Sequence, residues 1–295
     1  MKEDSAVTPP PALNLAFVRA VESYRPEPDR LFDDRFSRGL LPGLWKVFLF
    51  PGLRHAMVAL TEQISPGVAG NLYCRTVYID DALRNALGAG IAQVVILGAG
   101  FDSRAYRITN IEQVHVFELD LPATQHLKQR LIEKVVGGIP SHVSFVPIDF
   151  DRQDIEAVMT AAGLHRELKT FFIWEGVTQY LTAEAVDRTL RYVGGAAAGG
   201  SEIVFTYVHQ GIIDGTARSE VDQRIMSSIQ RRGTPWIFGL APSGLAEYLT
   251  QRGLELVEEV WAPDFRTRYL EPRGRRIALY EGERVVLARI VSAGQ

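Results

Sequence analysis

The sequence has few cysteines, little net charge and no long apolar run, and each shortage excludes a class of protein. Its single cysteine, Cys74, cannot form an internal disulfide and fits a reducing compartment, so a cytoplasmic location is expected. The net charge of −3 gives no support for a nucleic-acid partner, which needs a basic patch. The longest apolar stretch, 40–53, is interrupted by Lys46 and two Pro-Gly pairs, so no membrane partner is expected.

Several catalytic motifs are also missing. The six histidines have neither H-E-x-x-H nor another metal-ligand spacing, so no metal is expected. There is no G-x-x-x-x-G-K-[ST] loop for a nucleoside triphosphate and no G-x-S-x-G nucleophile elbow. What remains is a chain of 295 residues, 46% apolar and 23% charged, which is the balance of an ordinary globular protein with a substantial core.

The most informative feature present is a glycine loop after an apolar strand pattern. The strand pattern runs into Gly98 and Gly100, and the next strand pattern along the chain is followed by Asp120. Glycines there let the backbone approach a ligand, and a carboxylate about 20 residues later binds ribose hydroxyls. Glu118 shares a strand face with Asp120, so both are candidate cofactor contacts, and Asp120 is favoured because it is nearer the carboxyl end, where open α/β sheets bind ligands. The alternative for Asp120 is capping of the helix that follows. The sequence therefore predicts an adenosyl-binding site.

The residues after the loop distinguish between adenosyl cofactors. A dinucleotide fingerprint has a third glycine where this chain has Ser103, and Asp102 precedes it. A carboxylate at Asp102 repels a pyrophosphate, whereas it attracts the positively charged methionine end of S-adenosylmethionine. S-adenosylmethionine is therefore the expected cofactor, and a nicotinamide oxidoreductase is the least favoured alternative.

An alternation of strand and helix patterns predicts the fold class, α/β. We expect a doubly wound, mainly parallel, seven-stranded Rossmann-like sheet with an antiparallel edge pair, N-terminal helices and a helical cover. Strand patterns lie at 94–97, 114–119, 143–148, 170–174, 201–207, 254–260 and 283–290. Helical patterns lie at 13–24, 66–87 with a break near Tyr73, 121–135, 152–162, 182–193, 223–232 and 242–252.

These patterns predict a disordered lead-in, 1–11, and a single domain, 12–295. Its expected parts are N-terminal helices at 12–89, a cofactor-binding core at 90–207, a cover segment at 208–241, and a C-terminal helix with edge strands at 242–295.

Two further strand ends carry candidate cofactor contacts. Asp149 and Phe150 end the third strand pattern and could bind the exocyclic amine and the face of an adenine. The alternative is helix capping, which we expect of Asp151. Glu175 ends the fourth strand pattern at the centre of the sheet, where a carboxylate needs a cationic partner. That partner is either the α-ammonium of the cofactor or a buried arginine.

Arg75 lies in an otherwise apolar helical pattern and needs an anion. The cofactor carboxylate and a salt bridge with Asp80, Asp81 or a neighbour fit equally well. For the acceptor, side chains beyond the fourth and fifth strands are candidates, with Tyr180, Tyr207 and His209 as possible orienting groups. The substrate candidates are Gln179, Tyr180, Tyr207, Arg231, Trp236 and Arg268.

In this combination the chain resembles the leucine carboxyl methyltransferase-like family of class I S-adenosylmethionine-dependent methyltransferases, in its bacterial, polyketide O-methyltransferase-like branch. The likeness starts near residue 12. It departs at Ser103, where many members have threonine, and at 174–177, where the eukaryotic phosphatase-directed enzymes carry Ala-Glu-Cys-Val. The matching blocks are Arg75-Thr76 with Asp80-Asp81, 97–104, 117–122, Asp149-Phe150, Glu175-Gly176 with Tyr180-Leu181, and 235–239.

The resemblance implies that Arg75 binds the cofactor carboxylate and that Gly98, Asp120, Asp149, Phe150 and Glu175 contact the cofactor. It also implies methyl transfer to an oxygen of a small molecule, and we expect a carboxylate because an ionised carboxylate needs no general base. One alternative is a phenolic or hydroxyl O-methyltransferase with a base such as His209. Another is a non-catalytic S-adenosylmethionine-binding protein. The sequence indicates no oligomeric state.

Overall fold

A computed structural model describes residues 10–231 and 233–291, and it contains one seven-stranded sheet. The strand order is β3-β2-β1-β4-β5-β7-β6; the first five strands along the chain are parallel, and β7 is antiparallel to β5 and β6. The strands are β1 Gln93–Leu97, β2 His115–Asp120, β3 Val143–Pro147, β4 Thr170–Trp174, β5 Glu202–Val208, β6 Leu254–Val260 and β7 Glu283–Ile290. The predicted fold class and its antiparallel edge pair are thus confirmed.

Twelve α-helices accompany the sheet in the described ranges. They are α1 Pro10–Glu22, α2 Arg35–Leu40, α3 Pro51–Ile64, α4 Val68–Gly88, α5 Arg104–Arg107, α6 Pro122–Val136, α7 Ile155–Ala161, α8 Ala183–Gly195, α9 Gln210–Ile213, α10 Glu220–Arg231, α11 Leu245–Thr250 and α12 Ala262–Phe265. Short 3₁₀ turns lie at Gly43–Leu49, Ile111–Gln113, Thr178–Tyr180, Pro242–Gly244 and Glu271–Arg273, and a π-helical turn at Arg266–Leu270. No helix in these ranges is both long and apolar enough to cross a membrane.

Side-chain alternation along the central strand explains the layers. Val94 and Ile96 of β1 belong to one buried apolar cluster, and Val95 and Leu97 belong to another. Successive residues of a strand point to opposite faces of the sheet, so each face is covered by its own helices. The first cluster contains side chains from α1, α4 and α6, and the second contains side chains from α7, α8 and α11. This is the doubly wound arrangement that the sequence predicts.

Some local predictions were wrong. α4 runs unbroken through Tyr73, which is buried in its apolar face and has no reason to interrupt it. Asp151 does not cap a helix, because the chain makes one more turn before α7 and Asp154 accepts the capping bond from Glu156 N. The lead-in expected at 1–11 falls outside the described residues up to residue 9, and α1 begins at Pro10. Thr182 caps α8, with its hydroxyl accepting from Ala185 N.

Candidate functional site

A cavity of about 470 Å³ lies at the carboxyl ends of the parallel strands, where ligands of open α/β sheets bind. We call it the sheet-edge cavity. The ends of β1, β2 and β4 form one side of it, and residues 233–237 of the segment after α10 contribute Gly233, Thr234, Pro235 and Ile237. It brings together most of the residues predicted to contact the cofactor. They are Gly98, Gly100, Asp102, Asp120, Asp149, Phe150 and Glu175.

The glycine loop at this cavity depends on glycine for steric reasons. Gly98 has a φ of +69° and Gly100 a φ of +41°, a region that L side chains disfavour. A Cβ atom on Gly98 would lie 2.4 Å from the Val177 side chain. The loop also donates from Gly100 N to Asp120 Oδ2 at 2.6 Å, and this bond ties it to the end of β2. The backbone therefore forms a close-fitting edge of the cavity.

Asp120 occupies the position that the sequence predicts for ribose recognition. Its Oδ1 accepts from Leu121 N at 2.7 Å, the residue before α6, so each carboxylate oxygen already has one backbone donor. Burial raises the pKa of this carboxyl, and the bonds from Gly100 and Leu121 oppose the rise. Each oxygen keeps a further lone pair with which it could accept a hydroxyl.

Glu118, the other acidic residue on that strand, does not line the cavity. Its side chain is fully buried, and Lys128 of α6 places its ammonium 2.7 Å from Glu118 Oε2. Burial raises the pKa of Glu118 to about 7, against the effect of Lys128. Glu118 lies on the same strand face as Asp120, as alternation predicts. Because it is two residues further from the end of the strand, its side chain packs against α6 and does not reach the cavity.

Glu175 lies at the centre of a chain of buried ion pairs. Arg75 Nε is 2.9 Å from Glu175 Oε1, and Arg104 Nη1 is 2.7 Å from Glu175 Oε2. Arg104 also donates to Asp102 at 2.5 Å and to Asp80 at 2.8 Å. Burial acts to raise the pKa of Glu175, but Arg104 and Arg75 hold it well below its usual value. The buried-arginine alternative is what the structure contains, and the carboxylate still lines the cavity.

Arg75 makes the salt bridge that the sequence left open, although not with Asp80 or Asp81. Its Nη1 lies 2.5 Å from Glu283 Oε1 of β7, in addition to the contact with Glu175. Its remaining nitrogen, Nη2, is buried and has no hydrogen-bond partner in the described chain. Arg75 lines a second cavity rather than the sheet-edge cavity.

The second cavity, of about 280 Å³, lies among α1, α3, α4 and α10, and we call it the helical cavity. It adjoins the sheet-edge cavity, because Leu15, Gly176, Tyr180 and Thr234 line both. Among the predicted substrate residues, Gln179, Tyr180 and Trp236 line it.

The other predicted acceptor residues lie outside both cavities. Tyr207 is buried and donates to Glu259 of β6, and Arg268 is paired with Glu258 at 2.5 Å. His209 caps α9, with its Nδ1 accepting from Gly211 N at 3.0 Å, and it faces a separate hollow. Arg231 is exposed at the end of α10. These four side chains do not converge on one ligand.

Several residues of the site are not among those predicted from the sequence. Arg19 of α1 lines the sheet-edge cavity, and its Nη2 donates to the carbonyl of Phe101 at 2.6 Å. Arg104 joins three carboxylates, and Asn71 and Glu283 line the helical cavity beside Arg75. An arginine inside an apolar helical pattern is the signal that such residues share. It marks Arg75 and Arg19 alike, and the block 19–23 also resembles family members, but the sequence gives Arg19 no role at the cofactor site. In the part of the chain that the structure describes, no three His, Cys, Asp or Glu side chains are grouped to hold a metal ion.

Comparison with known proteins identifies the family of the chain. Residues 12–194 match the family model of leucine carboxyl methyltransferase. A Streptomyces coelicolor protein named as an S-adenosyl-L-methionine-dependent methyltransferase is 34% identical over 212 residues, 71% of this chain and 72% of that protein. YktD of Bacillus subtilis, with the same type of name, is 29% identical over 208 residues, 70% of this chain and 68% of that protein.

Solved structures show the same fold at low identity. A DUF574 family protein from Streptomyces avermitilis superposes with a TM-score of 0.57 and 14% identity, over 91% of this chain and 99% of that one. A protein from Thermobifida fusca named as a methyltransferase gives a TM-score of 0.55 and 16% identity, over 97% and 100%. The family match covers more than half of the chain. The chain therefore belongs to the leucine carboxyl methyltransferase family and is an S-adenosylmethionine-dependent methyltransferase.

Proposed function

We propose that the sheet-edge cavity binds S-adenosylmethionine and that the enzyme transfers its methyl group to an oxygen of a small molecule. The carboxylate of a polyketide-type acid is our choice of acceptor. The observation that carries the cofactor assignment is the charge of the cavity. Its charged lining side chains are Arg19 and five carboxylates: Asp102, Asp120, Asp149, Asp151 and Glu175. Asp102 and Glu175 are paired with buried arginines, so the excess of negative charge comes mainly from the three other carboxylates. Such a lining attracts a sulfonium and repels a pyrophosphate.

The residues present fit the cofactor in other respects. The glycine loop lets the backbone approach a ligand closely, because Gly98 and Gly100 line the cavity without a side chain. We assign the ribose to Asp120 and the adenine to Asp149 and Phe150. We assign the positively charged methionine end to Asp102 and Glu175. We assign the cofactor carboxylate to the free Nη2 of Arg75, which lines the helical cavity but lies 3.3 Å from where a Cβ atom of Gly176 would be, at the boundary of the two cavities. Glu118 is left out because its carboxylate faces Lys128 away from the cavity.

Methyl transfer to a carboxylate requires the protein to bind and orient the two reactants, and it requires no general base. S-adenosylmethionine, when bound, supplies a methyl group activated by a positively charged sulfur. Transfer to an ionised carboxylate forms one oxygen–carbon bond, breaks one sulfur–carbon bond whose electron pair stays on sulfur, and moves no proton. In-line positioning can contribute up to about 7–11 kcal/mol to such a reaction. Exclusion of water helps further, because opposite charges are neutralised in the transition state.

The available bases support a carboxylate acceptor over a phenol. No histidine or lysine is among the described residues that line the two cavities. His209, the base that a phenolic acceptor would call for, is engaged at the start of α9. Glu175 is held ionised by two arginines and would be a weak base.

The test uses S-adenosylmethionine with a deuterated methyl group and a panel of carboxylic acids and phenols, with mass spectrometry of the products. We expect labelled methyl esters, and a rate in wild type and in His209→Ala that is independent of pH between 6 and 9. Labelled phenyl ethers, with a loss of activity in His209→Ala that high pH restores, would establish the phenolic alternative instead. Absence of cofactor binding at millimolar concentration would contradict the assignment altogether.

A further inference from the structure

The helical cavity has a polar end and an apolar end, and their arrangement identifies a class of acceptor. The inference rests on the proposed function, because it assumes that the methyl group enters from the sheet-edge cavity. Gly176, Tyr180 and Thr234 line both cavities and mark the boundary across which the transfer takes place.

The outer wall of the cavity is apolar. Met57, Leu60 and Ile64 of α3 line one side, and Ile225 and Ile229 of α10 line another. No described residue of α3 is buried, and Leu60 is 49% exposed although it lines the cavity. Apolar surface left open along a cavity is covered favourably by an apolar ligand. This wall therefore suits the hydrocarbon body of a substrate.

The end near the sheet-edge cavity carries polar atoms without partners. Gln179 Oε1, Thr234 Oγ1 and Trp236 Nε1 are all buried and have no hydrogen-bond partner in the described chain. A buried polar group without a partner is costly, so this cluster indicates a missing ligand. Two further atoms that line the cavity, Arg75 Nη2 and Asn71 Oδ1, also lack partners, and Arg75 Nη2 is assigned above to the carboxylate of the cofactor. The indole and the hydroxyl can donate, and the amide of Gln179 can turn to present its nitrogen.

The charge of the lining limits the ligand to one negative group. Arg75 and Glu283 are its charged side chains, and they pair with each other at 2.5 Å. Asn71 Nδ2 donates to Glu283 at 2.6 Å and keeps that carboxylate occupied. The donors that remain suit a single carboxylate, whereas a phosphate or a second carboxylate would need another cation.

We propose that the acceptor is a monocarboxylic acid with an extended apolar body. Its carboxylate is bound by Trp236, Thr234 and Gln179 at the boundary, and its body lies between α3 and α10. One carboxylate oxygen remains free of these donors and faces the sheet-edge cavity through Gly176.

The first test measures acid binding without cofactor, by calorimetry and by the change in tryptophan fluorescence in wild type that is missing in Trp236→Phe. The probes are butanoate, hexanoate and octanoate, with 1-octanol and octanedioate as matched ligands that lack the carboxylate or carry a second one. We expect the dissociation constant to fall roughly fourfold for each added methylene until the wall is covered. The alcohol and the diacid should bind at least roughly tenfold more weakly than octanoate.

Variants then test the assigned residues. Trp236→Phe keeps an aromatic ring but removes the donor, and it should weaken octanoate binding and raise KM roughly tenfold. Leu60→Gln should reduce the increase in affinity that each added methylene of the acid gives. Both variants should bind S-adenosylmethionine as wild type does, because neither side chain lines the sheet-edge cavity. Gln230→Ala, an exposed change on α10, is the matched control.

The outcomes separate this inference from the function on which it rests. Loss of cofactor binding in wild type would overturn the proposed function. Normal cofactor binding, with octanol bound as tightly as octanoate and no effect of Trp236→Phe, would overturn the acid assignment while leaving a methyltransferase of another acceptor class.

Discussion

At the scale of single residues, the site is governed by buried charges that share partners. Glu175 meets two arginines, and one of them, Arg104, also meets Asp80 and Asp102. A buried carboxylate needs such partners because transfer from water without them is costly. The sequence could show that Glu175 needs a cation, but not that Arg104 would supply it, since that depends on how α5 packs against α4 and β4.

Glu175→Gln should therefore destabilise the protein without bound cofactor. Two buried guanidiniums lose a shared carboxylate, for which a cost of about 3–5 kcal/mol is typical. Urea unfolding at pH 7 measures the difference in the free energy of unfolding. Glu156→Gln, which breaks an exposed pair with Arg166, should leave the unfolding midpoint unchanged.

The pH dependence of stability, compared between wild type and Glu175→Gln, tests the same ion pairs. The folded-state pKa of Glu175 lies below its unfolded value of about 4.3, so its contribution is complete above that value and is lost as the pH falls further. The stability difference between wild type and Glu175→Gln should be constant from pH 7 to 5 and shrink below about pH 4.3. A difference that persists undiminished to pH 3 would show that the arginines do not hold the carboxylate ionised.

Asp120→Asn tests the ribose assignment. The amide oxygen can still accept from Gly100 N, so the loop should keep its shape, while the hydroxyls lose a charged acceptor. Calorimetry should record a dissociation constant for S-adenosylmethionine raised roughly 10- to 100-fold. Asp214→Asn, an exposed change at the end of α9, should bind as wild type does. Equal affinity in the two variants would remove Asp120 from the site.

At the scale of elements, the strand-to-helix turn after β1 is the sensitive point. Gly98→Ala adds a Cβ atom at 2.4 Å from Val177 and at a positive φ. The variant should therefore be less stable, and the edge of the cavity should be displaced. The matched control is Gly137→Ala at the end of α6, where φ is +86° but nothing lies within 4 Å of the added atom.

Gly137→Ala should cost about 1–2 kcal/mol of stability from backbone strain alone and leave cofactor affinity unchanged. Gly98→Ala should lower the free energy of unfolding by more than Gly137→Ala does, and it should also weaken cofactor binding. The double variant Gly98→Ala/Val177→Ala should recover part of the lost stability and affinity. Equal behaviour of Gly98→Ala and Gly137→Ala would mean that the contact with Val177 has no structural role.

The elements themselves were largely predictable from the sequence. The strand patterns match β1 to β7 within one residue at each end, because strands buried on both faces give apolar runs bounded by turn residues. Helix starts were less predictable. Asp151 and Asp154 are both good caps, and only the turn made by the chain at 151–154 selects the second.

At the scale of the whole molecule, the proposed function rests on two adjoining cavities and their charges. The sheet-edge cavity could be foreseen, because parallel strands bring their carboxyl ends to one edge. The helical cavity could not, since its residues come from four helices whose packing no local pattern specifies. Three predicted acceptor residues illustrate this, because each contacts another part of the protein and lines neither cavity. Tyr207 binds Glu259, Arg268 binds Glu258, and His209 accepts from Gly211 N.

The negative charge of the sheet-edge cavity should determine which adenosyl ligands bind there. S-adenosylmethionine should bind, whereas NAD⁺ and ATP should give no heat at millimolar concentration, because their phosphates would face a lining with more carboxylates than cations. Raising the salt concentration should weaken the binding of S-adenosylmethionine modestly through screening. Tight binding of NAD⁺ would contradict the assignment of the cofactor.

The most direct test of the account is a crystal structure with S-adenosylhomocysteine. We predict adenine density beside Asp149 and Phe150, ribose hydroxyls on Asp120, and the sulfur at the boundary of the two cavities near Gly176 and Tyr180. A ligand bound outside the sheet-edge cavity, or a sulfur turned away from the helical cavity, would contradict it.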